Sequence, residues 1–434
     1  MTGIANSWEW PLRFNEGFLV EGTPQILRVA LSQGFKIWDS IDIEQNGVIV
    51  ASSESAGDNK VELVGPWSIS SQAYGAGESG WSGDISVALP SSLLAGPDGV
   101  TDPLAGATIR IYACWERFEF GVSPSFQWGF RLYRLPLGTL QVADSSTTMT
   151  VDGRFVSQLQ LVDPLQALDA YPIPESSAFV GSGYLKPGVN INYSPEGLAY
   201  LLAEEAGPKI PSQYIGGRPG VYVADSELVG LSVDHLDVEA SSVDVEGQTY
   251  LGAIRSVLQP YGLIGLMTRD GEFAVRYPED LAASFSVGDD DIVTASQSMD
   301  NYSVNGVQAS TGSIESGSVD GELYAFNTNA VAPMHVDPDH PVTSALAPPR
   351  VLNVPSSGLT AEGLGAAIEL QAKRIAHPQT LSVTLNSPQA IEVLDVGWIS
   401  ITDFEAGRYI VTSVTQASDA ALQTSFTARR IATT

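Results

Sequence analysis

Apolar and polar residues alternate with a period of two along most of the first 170 positions. The segments PQILRVAL, KIWDSIDIEQNGVIVAS, KVELVGPWSIS, GDISVALP, ATIRIYACWERFEF, WGFRLYRLPLGTLQVA and TTMTVDGRF are rich in β-branched and aromatic residues. Clusters of Gly, Pro, Asn, Asp and Ser part them, as expected for successive strands and turns. In GDISVALP, Ile85 and Val87 share one face while Asp84 and Ser86 take the other, because strand side chains point alternately to opposite sides. This spacing predicts a β-barrel or sandwich over residues 1–170.

The period changes after Asp163-Pro164, and residues 171–300 read as an α+β middle domain. SPEGLAYLLAEEAG predicts a helix with Ser194 as cap, Pro195 in the first turn and Gly207-Pro208 as the stop. Leu198, Leu201 and Leu202 form its apolar stripe. In YLGAIRSVLQPYGLIGLMTRDGEFAVRY, Tyr250, Ile254, Val257 and Leu258 fall on one helical face. Pro260 and Gly262 end that helix, LIGLMT reads as a strand, and Asp270-Gly271 supplies a tight turn. Phe273, Val275 and Tyr277 then alternate with Glu272, Ala274 and Arg276, predicting one packed and one wet face.

Residues 301–434 read as a C-terminal β-rich domain that opens on a long, polar, irregular loop, 301–355. A third helix is expected in TAEGLGAAIELQAKRIAHP, capped by Thr360. Strands follow in TLSVTLNS, AIEVLDVGWISITD, GRYIVTSVTQAS and QTSFTARRI, with a hairpin turn at Glu405-Ala406-Gly407.

Composition narrows the function. The 434 residues are 44% hydrophobic, enough for several ordinary cores, and only 16% charged. Acidic residues number 50 against 21 basic ones, a formal charge of −29 spread along the chain. That field repels phosphate backbones and anionic membranes, which argues against specific nucleic-acid binding. The N-terminal MTGIANSWEW lacks a signal-peptide pattern, and Leu251–Met267 is broken by Arg255 and Pro260, so no membrane span is expected.

Candidate chemistry is sparse. Cys114 is the only cysteine and lies inside a strand pattern, so a buried structural role is expected over that of a nucleophile. His335, Asp337, Asp339 and His340 in MHVDPDHP could converge on a metal but match no zinc spacing. His235 and His377 are isolated. Asp289, Asp290 and Asp291 read as a solvated turn, since SVGDDDIV lacks the further ligands of a calcium loop. GxSxG, HExxH, Walker and dinucleotide motifs are missing. No catalytic, cofactor or metal residue is expected, and no enzymatic activity.

The order of parts carries a resemblance. The run KIWDSIDIEQNGVIVAS, WSGDISVALPSSLL, DPLAGATIRIYACWERF, FQWGFRLYRL and TTMTVDGRFVSQLQLVDPLQAL resembles the amino-terminal region of minor tail proteins of actinobacterial siphophages. TYLGAIRSVLQPYGLIGLMTRDGEFAVRY is similar to the helix-plus-hairpin of phage tail-tip and baseplate hub proteins, and AIELQAKRI through TSFTARRI to their last β-domain. The resemblance implies a mainly β fold with an α+β insert: several β-barrel-like domains plus helix-and-hairpin units. It also implies a homotrimeric virion protein, assembled in the host cytoplasm, that closes the distal end of the tail tube. Its implied partners are tube and distal tail proteins, the tape measure, and tip or fibre proteins, with DNA passing through the lumen. A tail-associated cell-wall or polysaccharide hydrolase and a carbohydrate-binding adhesin are the alternatives.

Overall fold

A computed structural model describes residues 37–45, 47–55, 59–74, 78–90, 93–94, 104–120, 128–151, 154–175, 192–193, 195–206, 238–239, 247–258, 263–276, 283–299, 306–310, 322–326, 351–354, 379–419 and 421–431. PQILRVAL, the third helix, His235, His377 and the group His335, Asp337, Asp339 and His340 lie outside them.

The alternating N-terminal segments form β1 (Ile37–Gln45), β2 (Val48–Ser52), β3 (Glu62–Leu63), β4 (Trp67–Tyr74), β5 (Glu78–Ala88), β6 (Thr108–Phe120), β7 (Trp128–Met149) and β8 (Phe155–Val162). β2 pairs with β1, β1 with β6, β6 with β7, β7 with β8, β8 with β5 and β5 with β3, all antiparallel. A parallel bridge from Ser52 to Lys60 joins β2 to the start of β3 and closes the ring. Closure removes most exposed edges. Inward residues such as Ile41, Ile69, Ile109, Trp115, Leu135 and Leu159 are fully buried inside this first barrel.

Next come the short helix α1 (Pro164–Ala167), the strand pair β9 (Asn192–Tyr193) and β10 (Val238–Glu239), and the helices α2 (Pro195–Ala206) and α3 (Tyr250–Leu258). The hairpin β11 (Ile264–Met267) and β12 (Phe273–Arg276) follows α3 as its sequence predicts. A second barrel is built from β13 (Phe285–Gly288), β14 (Ile292–Met299), β18 (Gln379–Leu385), β19 (Val396–Ser400), β20 (Gly407–Ser418) and β21 (Leu422–Arg430). Its pairing runs β13–β19–β20–β21–β18–β14, and β13 turns into β14 through the 3-10 turn Asp289–Asp291. Leu381, Val383, Val411, Tyr409 and Phe426 fill it.

The long segment expected to be irregular differs from its reading. Residues 306–310 (β15), 322–326 (β16) and 351–354 (β17) make a three-stranded sheet, β15 pairing antiparallel with β16 and parallel with β17. Runs of four and five residues between Ser- and Gly-rich stretches are too short for alternation to stand out.

The strands of the two barrels belong to one continuous sheet. The first half of β20 pairs with β19, whereas Ser413–Ser418 pairs antiparallel with Trp67–Gln72 of β4. The fold is mainly β with an α+β insert, and the insert sits where the barrels meet.

Candidate functional site: the seam between the barrels

The helix-and-hairpin unit is built as a wedge. Thr249 caps α3, its Oγ1 accepting the Gly252 N–H at 3.1 Å. The apolar stripe of α3 is buried throughout, as its spacing demands. α3 packs on α2, and Tyr250 donates to Glu205 at 3.1 Å. Tyr200 of α2 meets the Phe273 ring edge-on, and its hydroxyl oxygen accepts the Val275 N–H. At the hairpin turn Gly271 takes φ +79°, a conformation that costs a side-chain-bearing residue energy but not glycine.

β11 is buried throughout, and the face of β12 expected to be wet is half-buried, Ala274 and Arg276 lying against the second barrel. Leu263, Met267, Phe273 and Val275 belong to the core of the first barrel, while Ile264 and Leu266 belong to the core of the second. The turn is stitched to both sides. Trp81 of β5 donates its indole N–H to the Met267 carbonyl at 3.0 Å, and Thr139 of β7 donates to the Arg269 carbonyl at 2.7 Å. On the other side the Arg269 N–H donates to Glu392 Oε1 at 2.6 Å, and its guanidinium to the Ala390 carbonyl.

Arg276 completes this polar seam. Its guanidinium pairs with Glu392 and with Asp395, the latter at 2.8 Å, and also donates to the Val393 carbonyl. The two carboxylates sit on a tight turn. Asp395 Oδ2 accepts the Glu392 N–H at 2.7 Å; Leu394, at φ +71°, donates its N–H to the Val411 carbonyl, and the Val411 N–H donates to the Asp395 carbonyl. Arg269, Glu392 and Asp395 are only 3%, 3% and 4% exposed.

Burial raises the pKa of Glu392, but Arg276 and Arg269 outweigh it and hold the carboxyl below its usual range. Burial dominates at Asp395, against Arg276 and reinforced by the charge of Glu392, and pushes it up to about 7. Asp163 is a second buried anchor. Its carboxylate caps α1 through the Leu165 N–H and accepts the Trp81 N–H, at 2.8 and 2.9 Å. Burial pushes it up to about 7 against those two bonds.

Of the residues singled out in the sequence, Cys114 lies fully buried on β6. Burial pushes its thiol up to about 12, against the pull of the Arg134 guanidinium. A thiol so protonated is not a nucleophile. The Asp289–Asp291 run works as a barrel corner. Asp289 accepts from the backbone and side chain of Thr402 at 2.7 and 2.6 Å, Asp291 accepts the Gly288 N–H, and the carbonyls of Asp290 and Asp291 accept from Asn386. Among the described residues no three His, Cys, Asp or Glu side chains could hold a metal. Sequence reasoning missed the seam itself. Its signal lay in AIEVLDVGW, where two acids interrupt an apolar run and so demand buried partners.

No protein-family model and no curated protein sequence matches the chain. Among solved structures, the tail protein of Neisseria meningitidis MC58 is similar over 90% of this chain and 96% of its own length, at 12% identity and a TM-score of 0.53. The 43 kDa tail protein of prophage MuSo2 from Shewanella oneidensis covers 90% of this chain and 98% of its own length at 11% identity, with a TM-score of 0.49. The prophage tail protein gp18 of Listeria monocytogenes EGD-e covers 90% and 94% at 10% identity, with a TM-score of 0.45. The Neisseria protein shares the fold; at such identity no residue correspondence follows.

Proposed function

We propose that this chain is a structural subunit of a phage-type tail: a hub at the distal end of the tube, assembled as a homotrimer around the DNA channel. The reading rests chiefly on the two barrels joined through β4 and β20, together with the fold shared along 96% of the Neisseria tail protein. Support also comes from the seam, whose ionisable groups are buried and bonded to one another, an arrangement that fixes the barrels rather than presenting acids to a substrate. The three-part division near residues 170 and 300 would then be two ring-forming β-domains and the insert that sets their spacing.

In this role the chain connects tube and distal tail proteins above to tip or fibre proteins outside, within the virion tail. The formal charge of −29 suits a lumen along which DNA slides without adhering. Mass photometry and class averages of the purified chain provide the test. A threefold-symmetric ring with an open centre is expected; a monomer at every concentration tried would sink the reading.

A further inference from the structure

Among the described residues the chain crosses the seam once, between Arg276 and Phe285. Every described element up to Arg276 belongs to the first barrel or the insert. Every described element from Phe285 on belongs to the second barrel or the small sheet β15–β17. Each barrel is filled by its own core. What joins them is therefore almost wholly noncovalent, and its composition differs from that of either barrel.

In the ladder of β4 with β20, each apolar side chain stands opposite a polar or small one. Trp67 meets Ser418, Ile69 meets Gln416, and Ser71 meets Val414. Within the barrels apolar meets apolar: Ile43 faces Ile109 and Ile41 faces Ile111 in the first, and Val383 faces Phe426 in the second. Gln416 is itself held by polar partners, donating to the Gln389 carbonyl at 3.1 Å and accepting from Thr424 at 2.7 Å. Few apolar side chains reach across. Ile264 and Leu266 enter the second core, and Ala390 enters the first with Leu422 beside it. The rest of the joint is the turn Glu392–Asp395, gripped by Arg269 and Arg276 of the hairpin. Hydrophobic burial is the main stabilising force in a fold, whereas buried ionic pairs add little net stability. The seam is thus the thinnest part of the molecule in that respect.

We propose that the seam is a built-in hinge: the β4–β20 ladder parts as a unit while both barrels stay folded, and Arg276 on the Glu392–Asp395 turn is the catch that holds it shut. Such an opening changes the spacing of the barrels without refolding either, the kind of sub-global motion that a conformational change on binding draws upon. It does not depend on how copies of the chain assemble.

The test is native-state hydrogen exchange of the full chain at low urea, read by mass spectrometry. Peptides over Trp67–Gln72 and Ser413–Ser418 should hold amides that exchange roughly tenfold or more faster than the slowest amides over Ile41–Ile43 and Leu381–Val383. Arg276→Met should speed those ladder amides by roughly a further tenfold and leave the slowest core amides unchanged. Ser70→Cys combined with Thr415→Cys, opposite one another in the ladder and both half-buried, closes the seam covalently on oxidation, Cys114 being buried. The oxidised chain should lose the excess exchange. A wild-type ladder that exchanges no faster than the cores would overturn the hinge, as would ladder exchange unchanged by the disulfide. Ladder and cores speeding up together in Arg276→Met would overturn the catch. The wild-type and disulfide comparisons decide the matter even where the Met variant does not fold.

Discussion

Replacing Arg276 by Met removes the cation that two buried carboxylates share while keeping the length of its aliphatic stem. In the native seam Arg276 meets Glu392 and Asp395 with its side chain only 15% exposed. Breaking one partner out of a buried ionic cluster costs about 3–5 kcal/mol, because the remaining charges stay desolvated. Arg269 still faces Glu392, which argues for the lower half of that range. With a urea slope of about 3 kcal/mol/M, such a loss moves the unfolding midpoint down by about 1 M.

The loss should depend on pH with a definite sign. Without Arg276 the folded-state pKa values of both acids rise, so the folded variant binds protons more readily than the unfolded chain between about pH 4 and the raised values. Stability of the variant relative to wild type therefore recovers as pH falls, and the deficit at pH 5 should be less than half that at pH 8. Adding Glu392→Gln and Asp395→Asn keeps an acceptor for the Arg269 N–H and should restore much of the loss at pH 8. Urea unfolding followed by tryptophan fluorescence reads all of this. A variant within about 0.5 kcal/mol of wild type, or a deficit unchanged between pH 5 and 8, would refute the reasoning.

Three further outcomes follow from the same geometry. Asp163→Asn keeps a capping oxygen but turns an amide toward one of two N–H donors, so calorimetry at pH 5 should show a loss of about 1–3 kcal/mol that shrinks at pH 8. Because burial raises Asp163 to about 7, its ionisation opposes folding as pH climbs from about 4 to 7; the Asn variant should lack that decline in stability. Gly397→Ala would drive a methyl into the Phe285 ring, which packs edge-on against Phe426 at 5.8 Å; a loss of about 1–3 kcal/mol in thermal unfolding is expected. Gly271→Ala combines a φ of +79° with a Cβ 2.7 Å from the Thr139 methyl, so it should cost at least about 1–2 kcal/mol. An unchanged hydrogen-exchange rate around Arg269 would contradict it.

The strands were legible wherever one face is buried and the other wet, as in GDISVALP, whose pattern of Ile85 and Val87 inward recurs in β5. The helix at Tyr250–Leu258 was legible for the same reason at its own period. The hairpin was legible as an element but its surroundings were not. Alternation in Phe273–Arg276 suggested water on one side, yet that side meets a second core through Arg276. Spacing reports which residues share a face; it does not report what covers the face. The Asp289–Asp291 turn was likewise read correctly as a turn, but its bonds to Thr402 and Asn386 link residues more than ninety positions apart, beyond any local pattern.

The pairing of β4 with β20 has a kinetic side. Ser71 meets Val414, so almost the whole chain must be synthesised before that ladder can close. Until then the strand WSISSQAY, which bears no charged residue, presents an open hydrogen-bonding edge. Contacts of such long range form slowly and leave the intermediate open to association with other chains. Chains cut before residue 407 should therefore aggregate during expression even though every strand of the first barrel is present.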